Sequence, residues 1–346
     1  MGKRAFITGV NGQDGGHLAK LLHDKGYEVY GMMRGQLEAS HPRAQKFLTE
    51  FPYVKLVFAD LVDLSAMTRA IQEIKPDEVY NLAAISHVGY SFKDPILTAE
   101  VTGKGVTNVL EAIRLSGLDK KTKFYQASTS EMYGGLDYNR PGKGYNENAL
   151  FHPRSPYGVA KLYGYWITRN YRESYGIYAV SGILFNHEGE RRGPEFVTRK
   201  ISQAVARIKL GKQDKLELGN MDAKRDWGYA GDYVEGMWLM LQQDTPDDYV
   251  LATGETHSIR DFCELAFKEI GVDLEWQGSG VNEKGVDKKS GKTLITINPD
   301  YFRPAEVDLL LGDPSKAEKE LGWKRKIDFP ALVKLMVEYD LGLESN

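Results

Sequence analysis

"TGVNGQDGGHL", residues 8–18, decides the fold. Before it, "RAFIT" (4–8) is a short apolar run with strand character, and after it an amphipathic pattern begins. Gly9, Gly12 and Gly15 are spaced G-x-x-G-x-x-G in the connecting loop. Glycines there let the backbone turn sharply and approach a diphosphate, whose charge the N-terminus of the next helix favours. Three glycines alone would fit a structural turn. Strand, glycine loop and helix in that order point instead to a dinucleotide site.

Working outward, short apolar runs alternate with amphipathic stretches. Strands are predicted at 4–8, 27–33, 54–59, 78–83, 123–128 and 178–185, and helices at 15–25, 64–74, 98–116 and about 157–174. Such alternation predicts an α/β fold with a doubly wound parallel sheet of Rossmann type. After Asn186 the rhythm changes. Helices near 197–211, 260–270 and 314–321 are separated by polar or Gly-rich pieces, the longest being 277–293, expected as a mobile surface hairpin or loop. A smaller C-terminal α/β lobe over the C-terminal edge of the sheet is therefore expected. The division predicted is 1–185 plus about 226–254 for the dinucleotide-binding domain, and about 186–225 plus 255–340 for the substrate lobe.

The 346 residues can bury a large core, and 42% hydrophobic with 27% charged residues is ordinary for a globular chain. A net charge of −3 gives no reason to expect nucleic acid or an anionic membrane as partner. Basic residues do cluster in "GERRGPEFVTRK" (189–200), which suits a small anion or a solvated face. The single cysteine, Cys263, excludes an intrachain disulfide, and the seven histidines never fall at zinc-ligand spacing, so no metal is expected. No leader or membrane-spanning run is read in the chain, and the cytoplasm is the expected compartment.

The end of the second strand should meet the cofactor's adenosine ribose. An NAD site usually carries an acid there, whereas "GMMRGQ" offers Arg34, which would attract a 2′-phosphate and favours NADP. In "SPYGVAK" (155–161), Tyr157 and Lys161 lie four apart, on one helical face. Lys161 is expected to lower the phenol's pKa and hold the nicotinamide ribose, leaving Tyr157 as base toward a sugar hydroxyl. Thr129, in "QASTSEMYGG" (126–135), can share the hydrogen bond. Hydride transfer needs no more than this, yet Glu131 stands two residues past Thr129. Once C4 of a hexose is a ketone, the C5 proton is acidic. A second acid–base group could remove it and protonate the departing C6 hydroxyl, with the hydride returned to C6. A capping or surface glutamate is the plainer alternative.

The glycine loop with Thr129, Tyr157 and Lys161 resembles the extended short-chain dehydrogenase/reductase superfamily. Longer stretches, among them "NLAAISHV", "FYQASTSEMYG", "PRSPYGVAKLYGYWIT", "GILFNHEGERRG", "LGNMDAKRDWGYAGDYV" and "YFRPAEVDLLLGDPSKA", resemble the GDP-mannose 4,6-dehydratase family over nearly the whole chain. The resemblance implies a catalytic set of Thr129, Glu131, Tyr157 and Lys161. It implies cofactor contacts from Gly9, Val10, Asn11, Gly12, Gln13, Asp14, Arg34, Asp60, Leu61, Leu82, Ala83, Ala84, Ser86, Lys161, His187 and Arg192. For the GDP-sugar it implies Ser86, Ser128, Ser130, Asn186, Glu188, Val197, Lys200, Arg225, Arg303 and Glu306. It implies NADP, GDP-mannose as substrate, and a homodimer or homotetramer.

Three departures stand out. One arginine replaces paired arginines after the second strand, Leu97 replaces a tyrosine expected to touch the cofactor, and 135–148 is longer than usual. Another GDP-sugar such as a GDP-heptose, a GDP-sugar reductase or epimerase, and a non-catalytic NADP-binding protein remain alternatives. Only the dehydratases need Glu131.

Overall fold

The computed structural model describes residues 2–35, 41–135, 144–301 and 309–345. Strands β1 (Arg4–Thr8), β2 (Glu28–Arg34), β3 (Lys55–Ala59), β4 (Glu78–Asn81), β5 (Lys123–Thr129) and β6 (Ala179–Leu184) fall where the apolar runs predict. Short strands β7 (Asn186–Glu188), β8 (Leu216–Leu218), β9 (Lys224–Arg225) and β10 (Trp227–Tyr229) follow before β11 (Tyr249–Leu251) rejoins the main sheet. The order is β11-β6-β5-β4-β1-β2-β3, and every pairing is parallel. All six residues of β6 are buried, as expected where helices cover both faces.

The helices before β6 are α1 (Gln13–Asp24), α2 (Pro42–Glu50), α3 (Leu64–Ile74), α4 (Val88–Lys93), α5 (Pro95–Thr98), α6 (Gly105–Leu115) and α7 (Pro156–Tyr175). Those after it are α8 (Val197–Lys209), α9 (Ala230–Leu241), α10 (Ile259–Glu269), α11 (Ser315–Leu321) and α12 (Phe329–Ser345). The period-2 alternation of each strand sorts the core. Ala5, Ile7, Tyr80 and Tyr125 face α1 and α9, while Phe6, Val79 and Phe124 face α3 and α6. A separate core joins α8, α10 and α12 through Val205, Phe262, Phe267, Val333 and Val337.

One expectation is corrected and another made specific. The helix predicted over 98–116 is broken: α5 leads into a π-helical turn, Ala99–Lys104, before α6. The wider turn lets the Thr102 hydroxyl accept the Ile85 N–H at 3.0 Å. Of the hairpin or loop expected over 277–293, the structure has hairpin strands. After β12 (His257–Ser258) come β13 (Leu274–Gln277), β14 (Lys284–Asp287) and β15 (Thr293–Ile297), which pair in a four-stranded sheet with β8. Gly285 and Val286 are buried there, inside a run whose polar composition hides the strand. The last strand, β16 (Leu309–Leu310), pairs with β9.

Candidate active site

Strand order reverses between β4 and β1, which opens a crevice at the C-terminal ends of the strands. A cleft of about 1360 Å³ occupies it. Gly9 follows β1 at φ +69°, and a Cβ there would lie 2.9 Å from Ala83 Cα. A Cβ on Gly15 would stand 2.5 Å from the carbonyl oxygens of both Gly9 and Val10. The loop can fold this tightly only with those glycines. Gly12 is the N-cap of α1 and offers no side-chain cap, so the first N–H groups of the helix are open to an anion. Gly9, Asn11, Gly12, Gln13 and Asp14 line the cleft; the Val10 side chain does not, being buried in the core against Gly31.

Asp14 is spent on a partner. His187 Nε2 donates to its carboxylate at 2.8 Å, Nδ1 donates to the Phe185 carbonyl at 2.8 Å, and Gln13 bridges Asp14 and the His187 carbonyl at 3.0 Å each. Burial lowers the imidazole pKa, but the Asp14 charge and hydrogen bond outweigh it and leave the group raised. Burial likewise raises Asp14, and His187 more than compensates, holding the carboxyl well below its usual range. At the far rim, Arg34 Nε lies 3.4 Å from Asp60. Leu61, Leu82, Ala83, Ala84 and Ser86 complete this side, whereas Leu97 packs into the core.

Leu82 and Ala83 were expected to continue β4. Instead their N–H groups turn onto the Thr8 hydroxyl, each at 3.1 Å, and Thr8 donates to Asn81 at 2.7 Å. Asn81 in turn donates to Gln126 at 2.8 Å, which makes a buried polar line across three strands. Thr8, Gln126 and Thr102 shape the loop 82–86 and were missed from sequence. Polar residues inside apolar strands were the available signal for the first two; a π turn leaves none.

The four residues read as catalytic meet at the ends of two elements. Thr129 closes β5, and its hydroxyl accepts the Glu131 N–H at 3.2 Å, starting the single turn Ser130–Met132. Ser155 caps α7 by accepting the Gly158 N–H at 3.0 Å, and Pro156 takes the first helical position, which fixes Tyr157 and Lys161 on one face. Lys161 Nζ donates to the Ala127 carbonyl at 2.7 Å and sits 5.8 Å from the Tyr157 ring centroid. Burial raises the Tyr157 phenol well above its ordinary value, a hydrogen bond from Thr129 works against this, and the Glu131 charge adds to it. The depression expected from Lys161 is therefore not reached in the protein alone. Lys161 itself is pushed down to about 8 by burial.

Ser128, Ser130, Asn186, Glu188, Arg192, Val197, Lys200 and Arg225 all line the cleft. Ser128 Oγ and Asn186 Oδ1 are buried with no protein partner. Glu188 is committed to Thr198 at 2.5 Å and to Arg192 Nε at 2.9 Å. Lys200 Nζ lies over the Tyr301 ring at 3.8 Å. Arg303, Glu306 and most of the long segment 135–148 fall outside the described residues. Among the described residues no cluster of His, Cys, Asp or Glu could hold a metal ion, and no helix is long and apolar enough to cross a membrane.

A doubly wound sheet, a glycine loop at its switch point and a Thr–Tyr–Lys group beside it define a Rossmann-type protein of the short-chain dehydrogenase/reductase kind. A family model described as GDP-mannose 4,6 dehydratase matches residues 6–336, and the chain belongs to that family. It is 53% identical to a GDP-mannose 4,6-dehydratase of Vibrio cholerae, covering 99% of this chain and 94% of that protein. It is 50% identical to the GDP-mannose 4,6 dehydratase of Homo sapiens, covering 98% and 91%. Among solved structures, the Thermus thermophilus UDP-glucose 4-epimerase complex with NAD superposes with TM-score 0.78 at 26% identity, covering 98% and 99%. RMD from Pseudomonas aeruginosa complexed with NADPH gives 0.76 at 22%, covering 98% and 99%.

Proposed function

We propose that the protein is a nucleotide-sugar dehydratase that converts GDP-mannose to GDP-4-keto-6-deoxymannose and water. The observation that carries this is Glu131, two residues past Thr129 on the cleft wall, close enough for its charge to act on Tyr157. Incubation with GDP-mannose should yield a product lighter by one water, with no reduced cofactor added or consumed. Consumption of NADPH with a gain of two hydrogens would favour a reductase instead.

Tyr157 takes the C4 hydroxyl proton, with Thr129 sharing the hydrogen bond. Lys161 holds positive charge under the phenol and the nicotinamide ribose. Glu131 removes the C5 proton and returns a proton to the departing C6 oxygen. Ser128 and Ser130 position the hexose, with Ser86 opposite. A nicotinamide dinucleotide, when bound, supplies the hydride acceptor for C4 and the donor for C6.

The glycine cradle and the open N-terminus of α1 fit such a dinucleotide. Asn11, Gly12 and Gln13 would hold its diphosphate, with Arg192 and the His187–Asp14 pair behind the nicotinamide end. NADP is the form we favour, because Arg34 is 63% exposed at the end of β2 and suits a 2′-phosphate. Arg34→Ala should weaken NADP by about 10- to 150-fold, and NAD far less. Asn186, Glu188, Val197, Lys200, Arg225, Arg303 and Glu306 are assigned to the GDP-sugar. The dinucleotide domain is 1–185 with about 226–254, and the remainder to about 340 is the GDP-sugar lobe. A cytoplasmic homodimer or homotetramer completes the reading.

A further inference from the structure

We propose that Tyr301 is the platform on which the substrate's purine base stacks, an assignment that rests on the GDP-sugar reading above. The ring belongs to the one-turn helix Pro299–Tyr301, lines the cleft, and is 48% exposed. A tyrosine so open does little for the core, and its place on the wall of a cleft gives an aromatic face for a ligand.

Its backbone is held firmly. Tyr301 N–H donates to Asn298 at 3.2 Å, and Asn298 N–H donates to Leu218 at 2.8 Å, which pins the segment to β8. The Asn298 amide also donates to Glu217 at 3.3 Å. Gly219 permits the approach, since a Cβ there would stand 3.0 Å from the Tyr301 carbonyl oxygen and 3.2 Å from its Cβ. The backbone that carries the ring is thus in place before any ligand arrives.

Position along the substrate follows from the chemistry. The hexose must reach Tyr157 and Glu131, so the nucleotide extends away from them toward the lobe that carries Tyr301. Lys200, assigned above to the GDP-sugar and by its charge suited to the diphosphate, lies 3.8 Å over the ring. A base joined through ribose to a diphosphate at Lys200 comes within reach of that aromatic surface. Stacking uses the π-face common to all bases, so Tyr301 supplies affinity while edge contacts elsewhere choose the base.

The test measures GDP affinity by calorimetry on cofactor-loaded protein for the native chain, Tyr301→Phe, Tyr301→Ala, Lys200→Met and the Ala–Met double variant. Tyr301→Phe should stay within about threefold, and Tyr301→Ala should lose about 5- to 150-fold. With GDP-mannose, Tyr301→Ala should raise KM and leave kcat nearly unchanged. The loss should persist in the Lys200→Met background. If it vanishes there, the ring only steadies Lys200 and the proposal is overturned. Unchanged GDP affinity in Tyr301→Ala overturns it equally, while leaving the GDP-sugar reading intact. Failure of the native protein to bind GDP would remove that reading itself.

Discussion

Glu131 and Tyr157 reach the cleft from different elements, a strand end and a helix start, and the proposed reaction has them act on adjacent carbons of one sugar. Replacing Glu131 with glutamine keeps the shape and removes the acid–base group. Turnover should fall roughly 10²- to 10⁴-fold while C4 oxidation still begins, so 340-nm absorbance should accumulate after substrate is added. A variant within about threefold of normal would make Glu131 a capping residue. Lys161 yields a pH prediction. Its amine is at about 8 when folded against 10.5 free, so the unfolded chain holds more protons between those values. Stability therefore carries a constant deficit of roughly 3 kcal/mol below pH 8, relieved as pH rises toward 10.5. In cofactor-free protein, Lys161→Met should be the more stable below pH 8, with the advantage shrinking above it; melting at pH 7 and 9.5 checks this. The four residues proposed as catalytic could be picked out, and their shared cleft anticipated, because their types and short spacings suit the chemistry. The raised phenol could not, since it depends on a burial that only the packed fold creates.

At the scale of elements, α1 and its glycine loop could be read because the steric demand falls on residues next to each other in sequence. The π turn could not, since the contact it makes, Thr102 with the Ile85 N–H, spans 17 positions. Helix α12 was missed as well, although it closes the small lobe. There Arg199 Nε donates to Asp340 at 2.9 Å, Ser202 donates to the other carboxylate oxygen at 2.6 Å, and both acid and guanidinium are buried. Burial raises the Asp340 pKa despite these partners. Asp340→Ala would leave Arg199 buried without that counter-charge and should cost about 3–5 kcal/mol, read by denaturant unfolding. A change below about 1 kcal/mol would mean that the apolar contacts of α12 hold the lobe alone.

Across the whole molecule, the apolar runs before Asn186 predicted six of the sheet's seven strands, missing the short edge strand β11, and the reversal of strand order places the glycine loop beside the loop after β4. The small lobe was harder to read, because its strands are short and β14 is hidden in a polar run. Both parts wall the cleft, Thr129 and Tyr157 from β5 and α7, and Lys200 and Arg225 from α8 and β9. That arrangement suits a substrate whose sugar and nucleotide ends are recognised separately. Its central consequence is that one hydride leaves and re-enters the same sugar. The direct measurement is conversion of GDP-mannose deuterated at C4, in ordinary water, with NMR of the product. The deuterium should be found at C6, with solvent hydrogen at C5 and no net change in the cofactor's oxidation state. Deuterium retained on released cofactor, or absent from C6, would contradict internal transfer and the dehydratase reading with it.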